Sequence, residues 1–207
     1  MRQRLSGLYV IIDPAVAPGR DEVEIARQAI AGGARMIQLR DKTRTEPEQL
    51  PIARQLAEAC RDNGVPFFVN DYVQLALDSG ADGIHVGPTD LSLATVRERA
   101  GPDLLIGAST NDVTEARQAE ADRADYVSVG RLFPTGSKSD TRPATLDTLR
   151  AVKAAVSVPV CAIGGINASN IDSVLEAGAD IVSVIAAVVR APDVRDAARV
   201  LSARFQA

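Results

Sequence analysis

Short apolar, β-branched runs alternate with amphipathic stretches from one end of this chain to the other. The apolar runs fall at residues 8–12, 36–39, 66–69, 83–86, 104–108, 126–129, 158–163 and 180–184. Each is too short for a helix and is bounded by turn-forming residues, so each reads as a buried strand. Between them, apolar residues recur with helical spacing near 21–31, 46–62, 72–79, 91–100, 113–121, 145–155, 168–177 and 192–205. Eight strands with near-continuous apolar cores, each followed by a helix, predict a parallel sheet covered on its outer face.

A weak repeat argues that this sheet closes. Ala31-Gly32-Gly33-Ala34, Ser79-Gly80-Ala81-Asp82 and Ala177-Gly178-Ala179-Asp180 each precede a strand, and Arg123-Ala124-Asp125 holds the same place without glycine. A glycine after a helix takes the left-handed conformation that stops it. The four copies precede the even-numbered strands, so the unit is two strand-helix pairs. Four such quarters make a (β/α)8 TIM barrel, here a single domain over residues 1–207. A doubly wound open sheet is the rival, but its first strand usually runs into a glycine fingerprint. Here Asp13-Pro14-Ala15 follows instead.

Composition narrows the function classes. The 207 residues are 46% hydrophobic and 24% charged, long enough for one well-buried core. A net charge of −4, no Trp, three Tyr and four Phe argue against a nucleic-acid partner. Any anion site must therefore be local. Cys60 and Cys161 offer neither a disulfide framework nor metal spacing and read as buried thiols. The basic N-terminus lacks the apolar core of a signal peptide, and no apolar run approaches the ~20 residues that span a bilayer. The expectation is a cytoplasmic protein with no membrane partner; whether it forms a homo-oligomer is left open.

In these barrels, chemistry gathers at the C-terminal ends of the strands. The second strand ends in Gln38-Leu39-Arg40-Asp41-Lys42, whose period of two puts Gln38, Arg40 and Lys42 on one face. An amide, a guanidinium and an ammonium there need an anionic or polar counterpart, or else the strand end simply runs into solvent. Asp71 and Asp90 follow the third and fourth strands. They are hard oxygen ligands suited to Mg²⁺ shared with a phosphate, and equally good helix N-caps. Thr135, Ser137 and Lys138 follow the sixth strand around Gly136, without P-loop spacing. Gly164-Gly165 follows the seventh and lets backbone amides approach an anion, or makes a tight turn. His85, the only histidine, lies inside its strand and reads as a hydrogen-bonded core residue.

Five of these segments in order resemble the thiamine-phosphate synthase family: 38–42, Asn70-Asp71, 83–87 with Asp90, 133–138 and 162–166. The likeness runs from Tyr9 to residues 177–180. It implies an enzyme that joins an aminopyrimidine-methyl diphosphate to a thiazole phosphate, giving thiamine phosphate and diphosphate with Mg²⁺ as cofactor. It further implies that Gln38 bonds the pyrimidine, while Arg40, Lys42, Asn70, Ser109 and Lys138 hold the pyrimidine or its diphosphate. Of these, Arg40, Lys42, Ser109 and Lys138 are the catalytic candidates. Leu39 and Asp41 border the same substrate by position, although strand alternation points both the other way and gives Asp41 no task. Asp71 and Asp90 would hold Mg²⁺. Thr135, Gly136 and Ser137, with Gly165, Ile185 and Ala186, would take the thiazole phosphate. Pro88, Asn111, Arg131 and Ala186 depart from the family's commonest residues. A thiazole tautomerase homologue and a non-catalytic ligand-binding barrel are the competing readings; the tautomerases tend to lack the two aspartates.

Overall fold

Eight parallel strands pair in chain order, and the eighth closes onto the first. They are β1 (Gly7–Ile12), β2 (Met36–Leu39), β3 (Phe67–Asn70), β4 (Gly83–Val86), β5 (Leu105–Thr110), β6 (Tyr126–Val129), β7 (Val160–Ile163) and β8 (Ile181–Val184). The structure is a computed structural model that describes residues 5–136 and 142–206. All eight expected strands are present, and the barrel is the one the repeat predicts. The helices are α1 (Glu22–Ala31), α2 (Glu46–Arg61), α3 (Val73–Ser79), α4 (Leu93–Ala100), α5 (Val113–Ala121), α6 (Leu146–Ala155), α7 (Ile171–Glu176), α8 (Ala186–Val189) and α9 (Val194–Ser202), with a final 3-10 turn at Ala203–Gln206.

Strand alternation sorts the side chains into two layers. Outward residues such as Ile37, Leu39, Val69, Ile84, Ile106, Val127 and Val182 pack against the helices in the main core. Inward residues fill the lower barrel with a second cluster of Tyr9, Met36, Phe68, Tyr126, Cys161 and Ile181. Gly83 and Gly107 are needed there, because a Cβ at either would collide with the ring of Phe68 or Tyr126 lying across it. Above this plug the inward positions turn polar. Gln38, Asn70, His85, Ser128 and Ser183 are all buried there.

The quarter repeat carries more than its glycines. Asp82, Asp125 and Asp180 each accept from a backbone N–H at the start of the preceding strand, namely Phe67, Ile106 and Val160, all at 2.8 Å. Each carboxylate thus ties two neighbouring strands at the lower rim. Gly33, Gly80 and Gly178 take positive φ, as expected of helix stops, and Arg123 takes φ 66° in the copy without glycine. A side chain in the left-handed region costs about 1 kcal/mol. Arg123→Gly is therefore expected to stabilise the barrel by about 1 kcal/mol, read from urea midpoints at unchanged slope; no gain would mean that the Arg123 side chain offsets its backbone.

Candidate active site

The floor of the barrel mouth is a hydrogen-bonded chain of inward side chains. Gln38 Nε2 donates to the Tyr9 hydroxyl at 2.7 Å, and the Tyr126 hydroxyl donates to Tyr9 at 3.3 Å. His85 Nδ1 lies 2.8 Å from the Tyr126 hydroxyl, and its Nε2 lies 2.9 Å from Ser109 Oγ. Its ring stacks on Tyr126 with centroids 5.6 Å apart. His85 is thus the bonded core histidine expected from sequence, though it also faces the mouth. Burial pushes both tyrosine hydroxyls well above their ordinary range, so they remain neutral donors and acceptors. One polar atom is left over: Gln38 Oε1 is buried without a partner.

Above this floor opens a cavity of about 490 Å³. Of the substrate and metal residues expected from sequence, Gln38, Ser109, Thr135, Gly165, Ile185 and Ala186 line it, whereas Arg40, Lys42, Asn70, Asp71 and Asp90 are outside its lining. Gly164 and Gly165 have φ of 106° and 64°, and a Cβ on either would strike backbone of the segment after β6. That segment is zipped to β7 by Leu132 N donating to Ile163 O at 3.1 Å and Phe133 N to Gly164 O at 3.0 Å. The two glycines therefore let the β6 and β7 loops pack together along one wall.

A charged rim stands over the β1–β4 side. Arg40 pairs with Asp13 at 2.5 Å, and Asp13 also accepts from Ala15 N at 3.0 Å. Lys42 pairs with Asp71. Asp71, at φ 65°, sits in the left-handed region. Its carboxyl is held above the usual range, first by burial and also by the neighbouring Asp90 carboxylate, with Lys42 acting in the opposite sense. Asp90 accepts from Gly87 N at 2.7 Å. Neither aspartate caps a helix: the N-cap residues are Tyr72 for α3 and Ser92 for α4. Asn70 ends β3 level with His85.

Several expectations need correction. Leu39 points into the outer core and Asp41 is buried away from the mouth, so neither presents its side chain to a substrate there. Asp41 accepts from Thr43 N at 2.8 Å, Thr43 Oγ1 at 2.7 Å and Arg44 N at 3.2 Å, and it pairs with the Arg44 side chain. Burial alone would raise its carboxyl, but these donors outweigh burial and hold it below the usual range. Its task is to fold the loop into α2. The helix expected over 168–177 starts only at Ile171, because Asn170 Oδ1 takes the Asn167 N–H at 2.8 Å in a turn. The short α8, whose Ala186 and Ala187 line the cavity, was not foreseen. Gly136 is exposed in its loop, while Ser137 and Lys138 lie outside the described residues. The sequence reading missed Asp13, Tyr9, Tyr126 and Ser183; the inward period of two flags the last three.

The sequence matches the family described as thiamine monophosphate synthase over residues 8–188. It is 46% identical over 200 residues to the thiamine-phosphate synthase of Shouchella clausii, covering 96% of both chains. With the thiamine-phosphate synthase of Methanocella arvoryzae it shares 49% over 197 residues, covering 95% of this chain and 93% of the other. The chain belongs to the thiamine monophosphate synthase family. It superposes on the thiamine phosphate pyrophosphorylase of Pyrococcus furiosus with a TM-score of 0.89 at 40% identity, over 97% and 95% of the two chains. Membership makes it an enzyme, a transferase of thiamine biosynthesis. Two of the positions expected to depart from the family pattern have local roles. Asn111 Nδ2 donates to the Arg142 and Pro143 carbonyls, both at 3.1 Å, and Arg131 exchanges backbone bonds with Arg142 and Ala144. Among the described residues no helix is long and apolar enough to cross a membrane.

Proposed function

We propose that the chain joins an aminopyrimidine-methyl diphosphate to a thiazole phosphate, releasing diphosphate and forming thiamine phosphate, with Mg²⁺ held by Asp71 and Asp90. The observation that carries this reading is the rim: Lys42, Asp71 and Asp90 meet, and Arg40 pairs with Asp13, beside a cavity whose floor holds an unpartnered amide oxygen. The rim suits a cation. Three carboxylates, Asp13, Asp71 and Asp90, face two cationic side chains, Arg40 and Lys42, so a diphosphate alone would meet no net positive charge. Among the described residues no three or more His, Cys, Asp or Glu side chains converge closely enough to hold a metal ion by themselves. A two-carboxylate site is the pattern of Mg²⁺, which takes its remaining oxygens from water and substrate phosphate. Bound there, the ion would supply charge neutralisation to the departing diphosphate.

The rest of the chemistry asks for alignment. The methylene carbon–oxygen bond breaks and the diphosphate leaves with the electron pair. The thiazole nitrogen then forms the new bond to that carbon, whose positive charge the amino-substituted ring spreads. No protein nucleophile is needed. Gln38 Oε1 is placed to accept from the amino group of the pyrimidine. Arg40 and Lys42 stabilise charge on the leaving group, with Lys138 from the β6 loop as the family resemblance implies. Ser109, held by His85, and Asn70 border the ring and its diphosphate. Thr135, Gly165, Ile185 and Ala186, on the wall formed by the β6, β7 and β8 loops, are the residues for the thiazole phosphate, with Ser137 as the family resemblance implies. This reading also carries a cytoplasmic location.

The test is coupling of the two purified precursors, with thiamine phosphate quantified after oxidation to its fluorescent thiochrome. Product is expected with Mg²⁺, background after chelation, and recovery on adding the metal back. Absence of product with Mg²⁺ present would overturn the proposal.

A further inference from the structure

Among the described residues, the cavity holds a second buried atom without a partner, Ser183 Oγ. Ser183 is only 2% exposed and sits on β8 with its side chain directed inward. A buried hydroxyl that makes no hydrogen bond costs stability, and folded chains rarely keep one without a use. The remaining orphan, Ser202 Oγ, belongs to α9 and lies outside the cavity wall. The registers place Ser183 relative to Gln38. Tyr9 of β1 is level with Ser183, and Ile11, two residues further on, is level with Gln38. The two orphaned atoms therefore flank β1, one on each side and one step apart in height. With strands about 4.8 Å apart and a rise of about 3.3 Å per residue, two strand spacings and a two-residue offset put their Cα atoms roughly 12 Å apart. Both residues line the same cavity, so a ring-sized ligand can lie between them.

We infer that Ser183 is a recognition residue for the pyrimidine ring, its hydroxyl donating to a ring nitrogen while Gln38 Oε1 accepts from the amino group. The inference rests on the functional reading above and adds a contact to it. Donor and acceptor roles leave little freedom. Gln38 Oε1 can only accept, so it takes the amino group, whereas a ring nitrogen can only accept and so takes a proton, which the unpartnered Ser183 hydroxyl can give. Tyr9 beside it accepts from Gln38 and Tyr126 and has only its own proton left to give, while Ile163, level with Ser183 on β7, has no polar group to offer. A ligand that meets both orphans satisfies the floor in a single binding event.

The role makes Ser183→Ala behave unlike a structural loss. Its expected signature is weaker ring binding with an unchanged or higher melting temperature, because the substitution removes an unsatisfied hydroxyl. Calorimetry would use a non-reactive methylene-bridged diphosphonate of the aminopyrimidine and two pyridine analogues, each with one ring nitrogen replaced by C–H. Wild-type protein is expected to bind one pyridine analogue about tenfold more weakly than the parent. Ser183→Ala is expected to bind the parent about tenfold more weakly and to distinguish that pair less than twofold. Equal binding of the parent by both proteins would overturn the inference, as would a lowered melting temperature with parallel losses for both substrates. The two readings fail separately. Wild-type protein that makes thiamine phosphate but ignores the ring nitrogens refutes Ser183 alone; discrimination without product refutes the coupling reading alone.

Discussion

Asp71→Asn is expected to lower turnover by about 10³-fold while leaving the melting temperature unchanged or raised. Three observations combine. The residue sits at φ 65°, a conformation that asparagine tolerates as well as aspartate, so the backbone has no reason to move. Its carboxyl is raised by burial and by Asp90, which means that the folded protein disfavours the ionised form relative to the unfolded chain. For a carboxyl with a raised folded value, the folded state holds its proton more tightly. Stability attributable to Asp71 therefore increases as pH falls through that raised value and levels off below the unfolded one. At neutral pH the ionised Asp71 works against folding, and asparagine removes that cost. Its partner Lys42 is 48% exposed, so leaving the ammonium to water forfeits well under 1 kcal/mol.

What the substitution takes away, on the proposed reading, is a negatively charged oxygen ligand. Thermal melts at pH 5 and 7 beside kcat at saturating Mg²⁺ separate the two effects. The wild-type rate at limiting Mg²⁺ should begin to fall at a higher pH than an ordinary aspartate would give. A melting temperature several degrees lower, with turnover retained, would make Asp71 a structural support for Lys42 and remove it from the metal site.

The barrel was legible because each of its strands carries its own evidence, an apolar run closed by turn residues, and because the repeat could be counted. Gln38 was legible as an inward residue because strand alternation points it into the barrel whatever the packing, and Asp71 and Asp90 were legible as residues just past strand ends. Pairings across the sequence were not. Asp13 meets Arg40 from 27 positions away, and nothing near Asp13 marks it as more than a turn residue. The Gln38–Tyr9–Tyr126–His85–Ser109 chain joins five strands, and it forms only because Gly107 leaves room for the Tyr126 ring. Local chemistry also overrode the helical period. Asn167 and Asn170 make a side-chain turn that delays α7, and α8, at four residues, is too short to show a period. Asp41 is the converse case. Its bonds to Thr43 and Arg44 are those of an ordinary side-chain turn, readable from the sequence but eclipsed by its neighbours.

Arg40→Ala should act on two quantities at once, and their separation decides what Arg40 is for. Asp13 is 2% exposed and has Arg40 and the Ala15 N–H as its bonds in the described structure. Removing the guanidinium strands a buried carboxylate, a loss of about 3 kcal/mol, which in a chain of this size lowers the melting temperature by roughly 9 °C. On the proposed reading the same substitution also strips a charge-assisted contact from the leaving diphosphate, and KM for the pyrimidine diphosphate should then rise between ten- and a hundredfold. Adding Asp13→Asn to Arg40→Ala removes the stranded charge, so most of the lost stability should return while KM stays high. The two substitutions share one ion pair, so their stability effects will not add, whereas the affinity loss belongs to Arg40 alone. Recovery of affinity together with stability would mean that the single variant bound poorly only because the loop after β2 had come loose. Arg40 would then be a brace for that loop, and the charge facing the diphosphate would fall to Lys42 and the β6 loop.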